Sequence, residues 1–413
     1  MTEEGSLRTA RGLLARGEWE PARQALAAAL AEHESPDALE GMGTALWWQG
    51  RIRESLGHRE RAYAGYLAAG RHAAAAMVAV DVSVTYLTNL DSPAAAQGWI
   101  ARARRATALS GDGRLAGWVW LMEGYTSDEP QVRRDLLGRA LGRAREEGDV
   151  DLELAALADL GLAMVLDGEV RSGFALLDEA MAGTLGGECD RLDTVVWTSC
   201  SMLLACSLVG DQRRAAQWCA AALRFSATYG CPFLQASCRS HYGRVLIGTG
   251  DWELAEAELG RALAMADDCG RGPRVEALAG LAELRLRQGA VVEAERLLAD
   301  VGSANEGVVV SAEVMTASGH PQRAVALLRV ELGSTVGPEL RRPRLAAGLV
   351  DAHLAAGDVG SAAAIAAALE AMTGHDHPQA AAMTHRASGR VLASSGEPGR
   401  AGDLLRAAAG EYD

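Results

Sequence analysis

Apolar and small residues recur along the chain at the three- and four-residue spacings that mark one face of an α-helix. In the segment that begins at Trp252, these positions are Ala255, Leu259, Ala262, Leu263 and Ala266. Charged residues fill the opposite side, so the segment predicts an amphipathic helix. The next segment, which Pro273 opens, adds further leucines, and these indicate burial on two sides. The sequence has no strand pattern of useful length, since the run Val308–Val310 is short and lies in a helix-length segment.

A glycine followed five positions later by a small residue recurs at nine sites that are spaced along the chain. The glycines are Gly17, Gly50, Gly168, Gly210, Gly250, Gly289, Gly319, Gly357 and Gly396. We interpret each glycine as a helix end in the left-handed conformation, which a Cβ would strain. The small residue then allows two helices to approach closely. The ninth position after the glycine is apolar at every site except one, where Arg59 stands.

The spacing of these glycines predicts the architecture. From Gly168 onwards the steps are 42, 40, 39, 30, 38 and 39 residues, and the longer gap from Gly50 leaves room for two degenerate units, with turns near Asn89–Ala96 and Ser127–Val132. Such periods are typical of solenoids, in which each unit packs on its neighbours. We therefore predict an all-α protein, a right-handed α-solenoid of about eleven helix–turn–helix units over residues 1–413. Two sub-segments could meet near residues 183–191.

Composition and charge exclude several classes of function. All 40 basic residues are arginines, so no P-loop or Schiff-base lysine can exist. The net charge of −14 argues against direct contact of this segment with nucleic acid. Hydrolase motifs such as HExxH and GxSxG are absent from the sequence, and we expect neither enzymatic activity nor a cofactor. With no signal pattern and no long apolar stretch, we expect a cytoplasmic protein without membrane contact.

Two groups of residues suggest metal or redox chemistry, and we interpret both as structural. The seven cysteines lie between Cys189 and Cys269 without a CxxC pair, and Cys200, Cys206 and Cys219 occupy core-like repeat positions. They are predicted to be free, buried thiols, with a thiol or metal sensor as the alternative. The tripeptide His375–His377 is predicted to be an exposed loop, so no metal site is expected.

The segment from Glu188 to about Leu259 carries a family resemblance. Its features are the Cys200–Cys206 helix, the run Asp211–Cys219, Cys231-Pro-Phe, Cys238, His241 and the hinge Gly250-Asp-Trp. With these residues it resembles the tetratricopeptide-like (TPR-like, MalT-like) sensor region of actinobacterial LuxR-family transcriptional regulators. The resemblance implies a helical array that precedes a C-terminal helix-turn-helix domain. No DNA-binding domain is recognisable in this chain, so we expect a longer parent chain beyond Asp413, with a stand-alone sensor as the alternative.

The tryptophans suggest where a ligand could bind. Trp19 and Trp252 share one repeat position and are interpreted as packing residues, whereas Trp47, Trp48, Trp118, Trp120 and Trp197 lie on the first helices of their units. First helices line the concave surface of this kind of superhelix. We predict a ligand- or partner-binding pocket there, formed by Trp118, Trp197, Arg239, His241 and Tyr242. Packing between helices is the alternative role for the same residues.

These observations favour a regulatory module over an enzyme. We expect a TPR-like sensor or scaffold of a LuxR-type transcriptional regulator that binds a small-molecule effector or a protein or peptide partner in its concave groove. The alternative is a stand-alone protein–protein interaction scaffold without a small ligand. A closed apolar pocket near Trp197 would favour a ligand, and an open polar channel would favour a peptide. A homo-oligomer is compatible with either function.

Overall fold

A computed structural model describes residues 3–266, 269–301, 307–334, 340–372 and 378–412, which form 22 α-helices and contain no strand. The helices are α1 Glu3–Ala15, α2 Trp19–Glu32, α3 Pro36–Trp48, α4 Ile52–Ala68, α5 His72–Thr88, α6 Pro93–Ser110, α7 Leu115–Tyr125, α8 Pro130–Glu147, α9 Val150–Leu166, α10 Val170–Gly186, α11 Leu192–Val209, α12 Gln212–Tyr229, α13 Pro232–Thr249, α14 Trp252–Ala266, α15 Arg271–Arg287, α16 Val291–Val301, α17 Val308–Ala317, α18 Pro321–Ser334, α19 Arg341–Ala355, α20 Val359–Met372, α21 Pro378–Ser394 and α22 Pro398–Tyr412. Consecutive helices pack on each other, so the chain is an all-α solenoid of eleven helix–turn–helix units, as the repeat predicted.

The nine repeat glycines form the turns inside nine of these units. Each has a positive φ, between 71° and 91°, which confirms the predicted left-handed helix ends. The small residue five positions later is buried in all nine units. In the α9–α10 unit the approach is especially close, because a Cβ on Gly161 would lie 2.7 Å from the carbonyl oxygen of Gly173. The small residues therefore set the distance between paired helices.

The two degenerate units lie where the spacing placed them. The α5–α6 turn occupies residues 89–92, and Asp91 takes the left-handed conformation there with a φ of 51°. The α7–α8 turn occupies residues 126–129. Aspartate is one of the few residues besides glycine that adopt this conformation readily, which explains why no glycine marks the first of these turns.

The ninth repeat position is less uniform than the sequence suggested. Leu405 on α22 is 38% exposed, since no following helix of the described chain covers it. Arg59, the exception to the pattern, is buried on α4, and its Nη1 donates to the Thr85 hydroxyl on α5 at 3.4 Å. The ninth repeat position thus lies in the core, and in the α3–α4 unit it is occupied by the buried guanidinium of Arg59.

The solenoid closes on itself, which differs from the open array in which each unit contacts only its neighbours. The indole Nε1 of Trp19 donates to the carbonyl oxygen of Tyr229, 210 residues away. Farther along, the backbone N–H of Leu340 donates to the carbonyl oxygen of Leu166 at 3.2 Å. The largest apolar cluster is correspondingly continuous from Trp19 to Cys269 and includes residues on both sides of 183–191. Accumulated curvature has brought distant units together.

One helix of the described chain, α11, is long and apolar enough to cross a membrane by length and composition, although no membrane span was predicted. Of its 18 residues, 56% are buried inside the protein. It packs against α9, α10, α12 and α13, so burial in the core accounts for its apolar composition. The helix is weak evidence for a membrane span.

Candidate functional site

The closed solenoid surrounds a cavity of about 1380 Å³. Every odd-numbered helix, which is the first helix of its unit, contributes to the wall, as predicted for the concave surface. The wall combines apolar residues with ten carboxylates and six arginines among the described residues. The cavity is therefore a concave surface with convergent polar groups, which is the kind of surface that binds ligands.

The N-terminal units close one side of the cavity through contacts that we call the clasp. We define the clasp as the contacts of Trp19, Trp47, Trp48 and Asn89 with residues 225–233 and 269–272. The Trp19 and Trp48 rings stack with their centroids 4.6 Å apart and their planes 9° apart. Trp48 also contacts Phe225, with 6.3 Å between the ring centroids. The stacked pair belongs to two neighbouring units, whereas the Trp48–Phe225 contact joins the second unit to the sixth, which is not its neighbour in the array.

Asn89 is the polar centre of the clasp and is fully buried. Its Nδ2 donates to the carbonyl oxygen of Cys269 at 3.1 Å, and its Oδ1 accepts from Trp47 Nε1 at 3.3 Å. Its own carbonyl oxygen accepts from the backbone N–H of Gly272 at 2.9 Å. The side-chain NH2 group and the side-chain oxygen of Asn89 thus have partners on different units. Together with the backbone bond to Gly272, they hold α3, α5 and α15 in one arrangement.

A second connection between distant units runs through Arg191, which lies just before α11. Its Nη2 contacts Asp81 Oδ1 on α5 at 2.9 Å and Asp193 Oδ2 at 2.6 Å. Its guanidinium also lies over the Trp118 ring, 5.4 Å from the ring centroid. A guanidinium in this position can contact two carboxylates and a ring at once, which a point charge could not do as well.

Of the five residues predicted to form the pocket, Trp118, Trp197 and His241 line the cavity. Arg239 and Tyr242 lie on other faces of α13 and are outside the described lining. Arg239 Nη1 contacts Glu258 Oε2 on α14 at 2.5 Å, and Tyr242 packs against the apolar cluster around Leu259. The five residues therefore do not form one surface. The cause is helical phase, because positions 239 and 242 are rotated away from position 241 by about 200° and 100°.

Trp197 lies beside a buried carboxylate that the sequence analysis did not select. Asp159 on α9 lines the cavity, and its Oδ1 accepts from Trp197 Nε1 at 3.0 Å and from the Ser201 hydroxyl at 2.9 Å. Its Oδ2 has no hydrogen-bond partner among the described residues. Burial raises the pKa of Asp159 to about 7, although the two hydrogen bonds favour the ionised form.

His241 is the other buried titratable group on the wall. It is 8% exposed, and its Nδ1 is likewise unpartnered within the described structure. Burial lowers the pKa of His241 to about 3, and the nearby positive charge of Arg244 contributes in the same direction. The imidazole is therefore neutral at physiological pH and can offer a hydrogen bond without a charge.

A signal for the missed carboxylates was present in the sequence. Asp159 interrupts the apolar run Leu154–Leu166, and Asp81 interrupts the valine-rich run Val78–Val84. Both carboxylates lie on first helices, which are mostly buried and whose side chains are therefore expected to be apolar. A single carboxylate within such a run therefore marks a position where the inner wall of the solenoid is polar.

The cysteines occupy packing positions. All seven are free; Cys206 and Cys219 are buried as predicted, whereas Cys200 is half-buried and lines the cavity. Burial raises the pKa of Cys219 to about 12, so its thiolate is scarce at neutral pH. In the part of the chain that the structure describes, no group of His, Cys, Asp and Glu is arranged to hold a metal ion. His375–His377 lies outside the described residues.

Comparison with solved structures finds distant similarity to tetratricopeptide repeat proteins. The chain is similar to the yeast Tom70 crystal structure, with 12% identity and a TM-score of 0.44 over 99% of this chain and 91% of that one. It is also similar to a tetratricopeptide repeat protein from Parabacteroides merdae, with 13% identity and a TM-score of 0.37 over 62% and 92%. No protein-family model and no curated protein matches the sequence. The fold assignment therefore rests on the helix units themselves, and the resemblance to LuxR-family sensors stays a prediction.

Proposed function

We propose that this chain is the sensor module of a LuxR-type regulator and that it binds a small organic molecule in the central cavity. The observation that supports this proposal is the enclosure of the cavity by contacts between units 180 and 210 residues apart. A groove that serves extended peptides has to stay open at both ends. A cavity surrounded by helices of distant units instead shields a small ligand from water on several sides, which is how ligand sites obtain affinity.

The cavity is large for one ligand. Its volume of about 1380 Å³ exceeds the roughly 300–1,000 Å³ that is usual for small-molecule sites. The unpartnered polar atoms of Asp159 and His241 lie within this wall, and they provide specific anchor points in an otherwise mixed surface. We therefore expect an organic ligand of substantial size, or a smaller one accompanied by water.

Signalling would proceed through the clasp. Trp19, Trp47 and Trp48 belong both to the clasp and to the cavity wall, so a ligand in the cavity can contact the residues that hold the solenoid closed. A ligand that binds the closed form better than an open form shifts the population towards closure. In a regulator of the proposed class, a helix-turn-helix domain would respond to this change.

Native mass spectrometry of the purified protein, before and after denaturation, tests the proposal. We expect a co-purified small molecule that is released on unfolding. The variant Gly248→Trp should reduce its occupancy, since Gly248 lines the cavity on α13 and open space surrounds the position of its missing Cβ. Gly260→Trp is the matched control, because Gly260 is an exposed helix glycine on α14 with equally open surroundings.

The result also separates the proposal from the scaffold alternative. If no small molecule co-purifies, if screening identifies only peptide or protein partners, and if Gly248→Trp leaves their binding unchanged, the ligand-sensor function is wrong. If both tryptophan variants lose the co-purified molecule equally, the molecule does not occupy the cavity.

A further inference from the structure

We propose that the cavity contains a subsite for a primary ammonium group, formed by Asp159 together with Trp197 and Ser201. This inference rests on the proposed function, since it specifies the chemistry of a ligand in the same cavity. The geometry that carries it is a fully buried carboxylate of which one oxygen is held by two donors and the other oxygen is free.

The two donors fix the orientation of the carboxylate. Trp197 Nε1 and the Ser201 hydroxyl both donate to Oδ1, from two positions one turn apart on α11. The Asp159 side chain is thereby held in one rotamer, and Oδ2 keeps its full capacity to accept hydrogen bonds. A buried acceptor without a partner is costly, so a ligand that supplies a donor gains more than it would at an exposed carboxylate.

The surroundings favour a donor with a positive charge. Carboxylates outnumber arginines ten to six on the described cavity wall. The arginine of this wall that lies closest in sequence to Trp197, Arg191, already contacts Asp81 and Asp193. Burial alone raises the pKa of Asp159, and no nearby cation lowers it. An ammonium group would therefore supply the counter-charge that this carboxylate lacks within the described structure.

The neighbouring apolar residues indicate what the ammonium group is attached to. Leu162 and Ala163 follow Asp159 by one helical turn and also line the cavity. The Tyr125 ring meets Trp197 edge to face, with 5.7 Å between the ring centroids. An alkyl or aryl group could lie along this surface while its amine contacts Oδ2. The inferred ligand class is a primary amine with an apolar body.

The test uses the full chain and matched pairs of probes. 2-Phenylethylamine, tyramine and 1-aminohexane are each compared with the alcohol of the same skeleton by isothermal titration calorimetry at pH 8. We expect at least one amine to bind about tenfold or more tightly than its alcohol, as is typical of a charge-assisted hydrogen bond in a buried site. Asp159→Asn should abolish that preference.

A control variant separates the local effect from net charge. Asp128 is an exposed carboxylate on the same wall, so Asp128→Asn makes the same change in charge at the rim. It should leave the preference for the amine within about twofold. Equal affinity for amine and alcohol, equal losses in the two variants, or no binding of any amine would overturn the ammonium subsite. The cavity-ligand function would still stand if a co-purified molecule were lost in Gly248→Trp, so the two failures are distinguishable.

Discussion

The side-chain amide of Asn89 donates a hydrogen bond to the carbonyl oxygen of Cys269 at 3.1 Å, although 180 residues separate the two in the sequence. This bond lies where the third unit of the solenoid meets the eighth. It turns a repeat array, whose stability normally comes from nearest neighbours, into a closed body with an interior. The cavity and its proposed ligand both depend on this closure.

Asn89→Ala should therefore destabilise the closed form. The change removes two buried hydrogen bonds of the Asn89 side chain, one to the Cys269 carbonyl oxygen and one from the Trp47 indole, which costs about 1–3 kcal/mol. Urea unfolding followed by circular dichroism measures this loss. Gln131→Ala, which alters an exposed hydrogen bond to Asp135 on α8, is the control and should change stability by less than about 0.5 kcal/mol. Equal effects of the two variants would show that the clasp contributes nothing.

Gly272→Ala tests how tightly the clasp is packed. A Cβ at position 272 would collide with the carbonyl oxygen of Thr88, so α15 has to move away from α5. We expect a loss of about 1–3 kcal/mol and a larger radius of gyration by small-angle X-ray scattering. In Gly260→Ala the added Cβ meets open space within helix α14, and this control should be stabilised by about 0.5–1 kcal/mol. An unchanged radius in Gly272→Ala would contradict a clasp that holds the solenoid closed.

Asp159 should make the protein less stable as the pH rises. Its carboxyl group has a pKa of about 7 in the folded chain and 3.8 in the unfolded chain, so between these values the folded state retains a proton that the unfolded state releases. The stabilising contribution is complete below pH 3.8 and is lost as the pH rises through 7. Asp159→Asn removes this dependence and should exceed the parent chain in stability at pH 8, by up to about 4 kcal/mol. Urea unfolding at pH 5 and pH 8 would refute this if the difference between the two chains stayed constant.

His241 should produce the opposite dependence. Its pKa is about 3 in the folded chain and 6.5 in the unfolded chain, so the unfolded state gains a proton first as the solution is acidified. Its contribution is complete above pH 6.5 and is lost as the pH falls towards 3. His241→Gln should therefore lose about 2 kcal/mol less stability than the parent chain between pH 7 and pH 5. Parallel pH profiles of the two chains would show that the imidazole is not excluded from water.

The sequence predicts which helices line the cavity, but it does not predict which residues on those helices face it. Trp118, Trp197 and His241 line the cavity because they lie on first helices, which face inwards in this solenoid, and their role in binding stays a prediction. Arg239 and Tyr242 lie on the same first helix as His241 but on other faces of it, because on a helix the residues that share a face are those one turn apart. The same periodicity applied to α13 would have selected Ser237 and Arg244, which do line the cavity.

Trp19 and Trp252 show most clearly that a repeat pattern does not determine the burial of a side chain. They occupy the same repeat position and are indistinguishable by pattern, yet Trp19 is buried in the clasp and Trp252 is 39% exposed. A local rule assigns both the same conformation. Such a rule cannot predict that a residue 210 positions away, Tyr229, packs against Trp19 in the folded chain.

The sequence alone determined the helices, their turns and their pairing into eleven units, because these depend on residues five and nine positions apart and on the left-handed conformation of glycine. Only the tertiary structure decided that the array closes and which side chains meet inside it. Closure is the sum of small rotations over many units, and each rotation is set by packing details that a repeat pattern does not record. The buried state of Asp159 is decided at that same level, since it depends on helices that meet only after the chain has curved.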